Sequence, residues 1–181
     1  MAVMMRHSSF ALWAALALGS MVPGHPERAL AQAAGAPVQG VDAARFLSLA
    51  HSFNAMQARA SELVASRDTR PEARSLATAM LEFRRALGAK LDGLARERNL
   101  TLPTALEFEH QTVLENLEPL DALELSRRYA EVEVQALPQE LQIYRAAPAS
   151  DESLRALAND TAPKIQQLLD DAGRTRQSLG P

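Results

Sequence analysis

The feature that most constrains this chain is a long stretch, Pro71–Asn99, with no proline after its first position. Apolar side chains recur along it at three-, four- and seven-residue steps, at Leu76, Met80, Leu87, Leu91 and Leu94. Such spacing lines up side chains on one face of a helix. At about 1.5 Å per residue this helix is roughly 40 Å long, too long to be stable alone in water. The stretch therefore predicts one long helix of a helical bundle.

Four further helices are predicted around it. They are a first helix from the N-cap Asp42 to about Ser66, a short helix Ala105–Leu117 capped by Thr104, a long helix Ala122–Ala146 capped by Asp121, and a last helix that Asp151 opens. No strand-like alternation or hairpin turn occurs. The fold class expected is all-α, a bundle of four long antiparallel helices with one short extra helix between the second and third.

Two prolines and a glycine limit the last two helices. Pro138 predicts a kink near Val134–Pro138, because proline removes a backbone hydrogen bond and its ring clashes with the preceding turn. Pro163 predicts a kink or a split in the last helix. Regular structure is expected to fail from Gly173, so the bundle domain spans 42–176 and 177–181 form a disordered tail.

The N-terminus has the parts of a secretory signal peptide. Arg6 and His7 precede the apolar run Phe10–Val22, and Ala29-Leu30-Ala31 provides a small-residue cleavage site. The run is too short for a membrane span of about 20 residues. An uncleaved anchor is the alternative. We expect a signal peptide over 1–31, cleavage after Ala31 or Ala33, and a flexible linker over 32–41. No transmembrane helix is then expected in the mature chain, which is predicted to be periplasmic or outer-membrane-associated.

Charge and composition exclude several classes of function. Removal of Arg6, Arg28 and Glu27 leaves 17 basic and 21 acidic residues, a mild net charge of −4 that is unlike a nucleic-acid binder. The chain has no cysteine, which excludes disulfides, thiol chemistry and a lipid-modified cysteine. No phosphate-binding loop and no nucleophile elbow is present.

A metal site in a helical bundle combines Glu residues with Glu-x-x-His motifs on facing helices. The mature chain has two histidines, His51 and His110, and Glu107 with His110 forms its one Glu-x-x-His. One such pair leaves a transition ion under-coordinated. We therefore interpret Glu107 and His110 as part of a solvated helix face rather than as a pair of metal ligands. His51 is interpreted as a boundary residue.

Charged and amide side chains on the long helices have structural interpretations. Asn54 and Gln57 fall near the inner face of the first helix and are expected to form hydrogen bonds across the core. Glu131 and Glu133, next to Arg127 and Arg128, are interpreted as a charged outer face. Arg84 and Arg85 are candidates to pair with such glutamates between helices, where the pair would specify packing more than it stabilises it.

Five short motifs follow one another along the chain: F-L-x-x-A at Phe46–Ala50, L-A-x-x-M at Leu76–Met80, L-A-x-x-x-x-L-x-L-P at Leu94–Pro103, Y-x-x-x-x-V at Tyr129–Val134 and A-P-x-I at Ala162–Ile165. Their order and spacing resemble the domain of unknown function 4142 family of predicted outer-membrane proteins over about residues 42–173. The resemblance implies a ferritin-like helical bundle exported to the bacterial envelope, without an established biochemical activity.

The chain departs from the family pattern at three places. Many members carry Asp-His where this chain has Phe83-Arg84, and a second Asp-His where it has Ala136-Leu137. A further histidine of the family corresponds to Leu168. The imidazoles that a metal site would use are thus replaced by arginine and leucine.

These observations favour a non-enzymatic envelope protein, a helical scaffold or interaction protein that contacts an unidentified envelope protein and needs no cofactor. The alternative hypothesis is a ferritin-like metal-binding protein with a degenerate carboxylate/His site, whose candidate ligands are Glu62, Glu82, Glu107, His110 and Glu133. A third hypothesis is an envelope chaperone or adaptor, which requires an exposed apolar patch.

Overall fold

The structure, a computed structural model, describes residues 42–67 and 69–180. The predicted signal peptide 1–31 and linker 32–41 lie outside the described residues. Five helices follow in order: α1 Ala43–Ser66, α2 Pro71–Glu97, α3 Phe108–Leu117, α4 Ala122–Arg145 and α5 Glu152–Leu179. The described residues contain no strand, so the prediction of an all-α fold is confirmed.

Three aspartates start helices, as the sequence predicts. A carboxylate oxygen of Asp42 accepts a hydrogen bond from the Arg45 backbone N–H at 2.7 Å. Asp121 accepts from the second and third N–H groups of α4, and Asp151 accepts from an N–H in the first turn of α5. These bonds satisfy donors that the first turn of a helix otherwise leaves unpaired.

Helix α2 ends in a left-handed turn. Asn99 has a φ of 54°, its backbone N–H donates to the Arg96 carbonyl, and the Leu100 N–H donates to the Ala95 carbonyl. This pair of bonds is a Schellman motif, in which asparagine is one of the few residues that tolerate positive φ. The motif redirects the chain into an irregular connection, 98–107, that leads to α3.

The predicted start of the short helix is wrong. Helix α3 begins at Phe108 rather than Ala105, and its N-cap residue is Glu107 rather than Thr104. The Glu107 backbone N–H donates to Ser52 Oγ of α1 at 2.8 Å. This contact with α1 holds the chain outside the helix until Glu107.

Of the kink or split predicted at Pro163, the split is wrong, and the predicted end of regular structure near Gly173 is also wrong. Helix α5 is continuous through both residues to Leu179, so it includes 177–179 of the expected tail. Its buried positions continue along the whole length, at Leu154, Leu157, Ala158, Thr161, Ile165, Leu168, Ala172, Thr175 and Leu179. Burial of this face outweighs the backbone bond lost at proline and the roughly 1 kcal/mol cost of a helical glycine.

The four long helices surround one apolar core. Helix α2 lies along α1, and α5 lies along α4. Contacts of α1 with α4 and of α2 with α5 close the ring, while α3 packs on the outside against α1 and α4. Phe46 of α1 and Tyr144 of α4 meet edge to face in the core, with ring centroids 5.8 Å apart. Within the described part of the chain, no helix has the length and apolar character needed to cross a membrane.

Because the ring of Pro163 is exposed, its cost to helix α5 can be tested directly. We expect Pro163→Ala to raise the free energy of unfolding by about 1–2 kcal/mol, because alanine restores a backbone N–H inside the helix. Urea unfolding followed by far-ultraviolet circular dichroism measures the change. Lys164→Ala, also exposed, is the control and should change stability by less than about 0.5 kcal/mol. A Pro163→Ala variant that is less stable than wild type would show that Pro163 does not destabilise helix α5.

Candidate functional site

A fully buried ion pair joins α2 to α4 in the centre of the protein. Arg84 Nη1 donates to Glu140 Oε1 at 2.5 Å and Nη2 donates to Glu140 Oε2 at 2.7 Å, with both side chains 0% exposed. Arg84 Nε donates to the sulfur of Met80 at 3.4 Å. Burial is the largest influence and lowers the pKa of the Arg84 guanidinium, but the charge and hydrogen bonds of Glu140, together with the nearby Glu133 and Tyr144, raise that pKa overall. The pair is therefore a fixed cation and anion.

The structure corrects the predicted partner of Arg84. Arg84 does pair with a glutamate of another helix, but that glutamate is Glu140 rather than Glu131 or Glu133. The prediction that Glu133 lies on the outer face is wrong, since Glu133 is fully buried. Glu131 does face solvent and pairs with Arg128 at 3.0 Å. Two helical residues that are two positions apart point to nearly opposite sides, so only one of these glutamates can be exposed.

Glu133 is the second carboxyl near the Arg84 guanidinium. Neither of its oxygens makes a hydrogen bond of normal geometry, although the Gln57 amide lies close enough to lower its pKa slightly. Burial raises the pKa of Glu133 to about 8; Arg84 partly offsets that rise and Glu140 adds to it. Because burial dominates, Glu133 carries a proton at neutral pH, while the guanidinium forms its two hydrogen bonds with Glu140.

Buried amides and hydroxyls surround the pair. Asn54 Nδ2 donates to the Arg84 carbonyl oxygen at 3.1 Å, which confirms the predicted bond across the core. Gly88 leaves space for this amide, because a Cβ there would lie 3.1 Å from Asn54 Nδ2. Ser61 Oγ and the Tyr129 hydroxyl are 2.8 Å apart. The Tyr144 hydroxyl and both polar atoms of Gln57 are buried without a hydrogen-bond partner.

The Glu107–His110 motif has a structural role. Ser52 Oγ forms a hydrogen bond with His110 Nδ1 at 2.7 Å and accepts the Glu107 backbone N–H, while Arg45 Nη1 donates to Glu107 Oε1 at 2.7 Å. Burial lowers the pKa of His110, which favours the neutral imidazole that can accept from Ser52. The His110 ring also meets Phe53 edge to face, with centroids 4.7 Å apart. Together these contacts hold α3 against α1.

The remaining candidate ligands do not converge. Glu62 is exposed on α1, Glu82 is exposed on α2, and Glu133 is in the core, so the structure brings together Glu107 and His110 alone. His51 Nδ1 lies 3.9 Å from Asp92 Oδ1 at the edge of the α1–α2 contact. Among residues 42–67 and 69–180, no three His, Asp or Glu side chains lie close enough together to hold a metal ion.

A family model with the description "Domain of unknown function (DUF4142)" matches residues 27–175. The chain belongs to the DUF4142 family. The match covers all five motifs on which the resemblance rests. Searches of curated proteins and of solved structures found no match.

This DUF4142 chain has a surface groove of about 590 Å³ between α2 and α5. Its floor is apolar and includes Phe83, Leu87 and Leu168, whereas its edges carry charges of both signs, at Glu82, Lys90, Asp160, Lys164 and Asp171. The Phe83 ring lies under the Arg84 guanidinium, 4.9 Å from ring centroid to Cζ. Phe83 thus contributes both to the groove and to the surroundings of the Arg84 guanidinium.

A double-mutant cycle tests the buried pair. Arg84→Met leaves Glu140 buried without its counter-ion, and we expect a loss of about 3–5 kcal/mol in the free energy of unfolding. The double variant Arg84→Met/Glu140→Leu should be more stable than Arg84→Met, because no unpaired charge remains. Urea unfolding of wild type, Arg84→Met, Glu140→Leu and the double variant gives the four values of the cycle. Arg85→Met, at the exposed neighbouring arginine, is the matched control. Additive losses in the double variant would show that the two charges are not coupled.

The proton on Glu133 predicts a pH dependence of stability. An unfolded chain releases this proton near pH 4.5, whereas the folded chain retains it until about pH 8. Between these values the folded state binds one more proton, so the free energy of unfolding falls with rising pH, by about 1.4 kcal/mol per pH unit. The fall ends above about pH 8.

Glu133→Gln should remove that dependence, because an amide of the same size does not titrate. The difference in unfolding free energy between wild type and Glu133→Gln, measured from pH 5 to about pH 9, isolates this one group. Glu131→Gln, exposed on the same helix, should keep the wild-type pH profile. Identical profiles for wild type and Glu133→Gln would show that Glu133 is ionised in the folded protein.

Proposed function

We propose that this protein is an exported, non-enzymatic envelope protein in which a ferritin-like four-helix bundle serves as a scaffold for contacts with another envelope protein. The observation that carries the proposal is the Arg84–Glu140 pair. It lies in the centre of the bundle, where facing helices of metal-binding bundles place their ligands. In this protein the Arg84 guanidinium provides the positive charge in the centre of the bundle.

The buried arginine disfavours a metal ion in two ways. Both oxygens of Glu140 already accept hydrogen bonds from the guanidinium. A second cation beside the guanidinium would also be repelled strongly, because charges interact more strongly in a protein interior than in water. The remaining carboxyl, Glu133, is held in its protonated form, which is a poor metal ligand.

The packing of leucine supports the same proposal. Leu137 is fully buried and Leu168 is 7% exposed. These are two of the positions at which the family resemblance places histidine. Both residues contribute to the hydrophobic core, so apolar packing takes the place of imidazole ligands.

The groove between α2 and α5 supports a role in protein contacts. It combines an apolar floor with charged edges, which is the usual composition of a protein-binding surface. Lys90 and Lys164 form no ion pair among the described residues. They are therefore available to carboxylates of a partner. The proposal of export rests on the signal-peptide features of 1–31.

Untagged full-length protein, produced in bacteria and isolated from the envelope fraction, tests the proposal. Its intact mass should correspond to cleavage after Ala31 or Ala33. After incubation with Fe²⁺, Mn²⁺ or Zn²⁺ and gel filtration, elemental analysis should find less than about a tenth of an equivalent of metal, because no set of ligands converges in the part of the chain that the structure describes. Uncleaved protein in the cytoplasm would contradict export.

One equivalent of bound metal would favour the alternative, a metal-binding protein with a degenerate carboxylate/His site. In that case His110→Ala should abolish binding, because His110 is the one imidazole close to a candidate carboxylate. Glu109→Gln, at the exposed neighbouring glutamate, is the control and should leave binding unchanged.

A further inference from the structure

The turn that ends α2 presents a sequence that oligosaccharyltransferases recognise. Asn99-Leu100-Thr101 has the form N-x-T with no proline at its centre, which is the acceptor pattern for N-linked glycosylation in secreted proteins. It lies at the start of the irregular connection 98–107 between α2 and α3. Such connections are the usual location of modified asparagines, because the enzyme must reach both the amide and the hydroxyl.

Both side chains that the enzyme must reach are accessible. Asn99 and Thr101 are exposed, and neither side chain forms a hydrogen bond within the described residues. The backbone of Asn99 has a φ of 54° and is fixed to the end of α2 by the Schellman bonds. The acceptor amide is therefore displayed in a turn at the end of a rigid helix.

A second N-x-T sequence gives an internal comparison. Asn159-Asp160-Thr161 lies in the middle of α5, and Thr161 is only 3% exposed. Its backbone bonds belong to the helix, and its side chain is buried. The chain therefore contains one accessible acceptor sequence and one inaccessible one.

The fold accounts for Asn99 but not for Thr101. A positive φ at the end of a helix is satisfied equally well by glycine, which is the commonest residue there. The Thr101 side chain is exposed and forms no hydrogen bond among the described residues. Changes at either position can thus remove the acceptor sequence without removing a stabilising contact.

We propose that Asn99 is a site of N-linked glycosylation, an inference that rests on the export proposed above. The sugar donor would be a glycosyl diphosphate lipid. Asn99 Nδ2 attacks the anomeric carbon, a C–N bond forms, the C–O bond to the diphosphate breaks, and the amide loses one proton. The lipid diphosphate leaves, and no electron acceptor or donor is needed.

The test uses the full chain, expressed with its own signal peptide in bacteria that contain a membrane oligosaccharyltransferase and its lipid-linked oligosaccharide. Intact mass and peptide mapping should show cleaved chains that carry one glycan at Asn99 and none at Asn159. A secreted protein with an established acceptor sequence, expressed in the same cells, verifies that the enzyme is active.

Three variants separate recognition from folding. Asn99→Gly and Thr101→Val should lose the glycan completely, and Thr101→Ser, which retains the hydroxyl, should keep it. Thermal unfolding of the unmodified Asn99→Gly protein should match or exceed that of wild type, because glycine fits the positive φ.

Two results would overturn the inference, and they are distinguishable. Cleaved wild-type chain without a glycan, beside a modified control protein, would refute glycosylation and leave export intact. Uncleaved chain in the cytoplasm would refute export and with it the modification. A glycan that survives Thr101→Val would show that modification does not depend on this acceptor sequence.

Discussion

The ion pair between Arg84 and Glu140 is the interaction on which the rest of the core depends. It crosses the bundle between α2 and α4, and burying two charges costs more than their attraction returns unless the geometry is close to ideal. The two parallel bonds meet that condition. Asn54 fixes the backbone of Arg84, and Gly88 leaves space for Asn54. Such a pair specifies how α2 and α4 face each other more than it stabilises the fold.

Local rules predicted most of the secondary structure. Asp42, Asp121 and Asp151 start helices because each carboxylate reaches N–H groups of its own first turn, which depends on sequence alone. The start of α3 was not predictable in this way, since Ser52 determines it from another helix. The continuity of α5 through Pro163 likewise depends on burial against neighbours, which overrides the local cost of proline.

The buried charged site was predicted only in part, because charged side chains on a helix usually face solvent. Glu133 stands among charged residues on α4, so its neighbours in sequence suggested a solvated face. Its burial depends on which side of α4 meets α1 and α2. A signal was present in the seven-residue spacing of Glu133 and Glu140, which places both carboxyls on the face that carries Leu137 and Tyr144. A second signal was the position of Arg84 within the apolar stripe of α2, between Met80 and Leu87.

The position of Phe83 links the surface groove to the interior of the protein. One face of its ring lies against the Arg84 guanidinium, and the residue also forms part of the groove between α2 and α5. A molecule that filled the groove would restrict the motion of this ring and thereby the freedom of the guanidinium behind it.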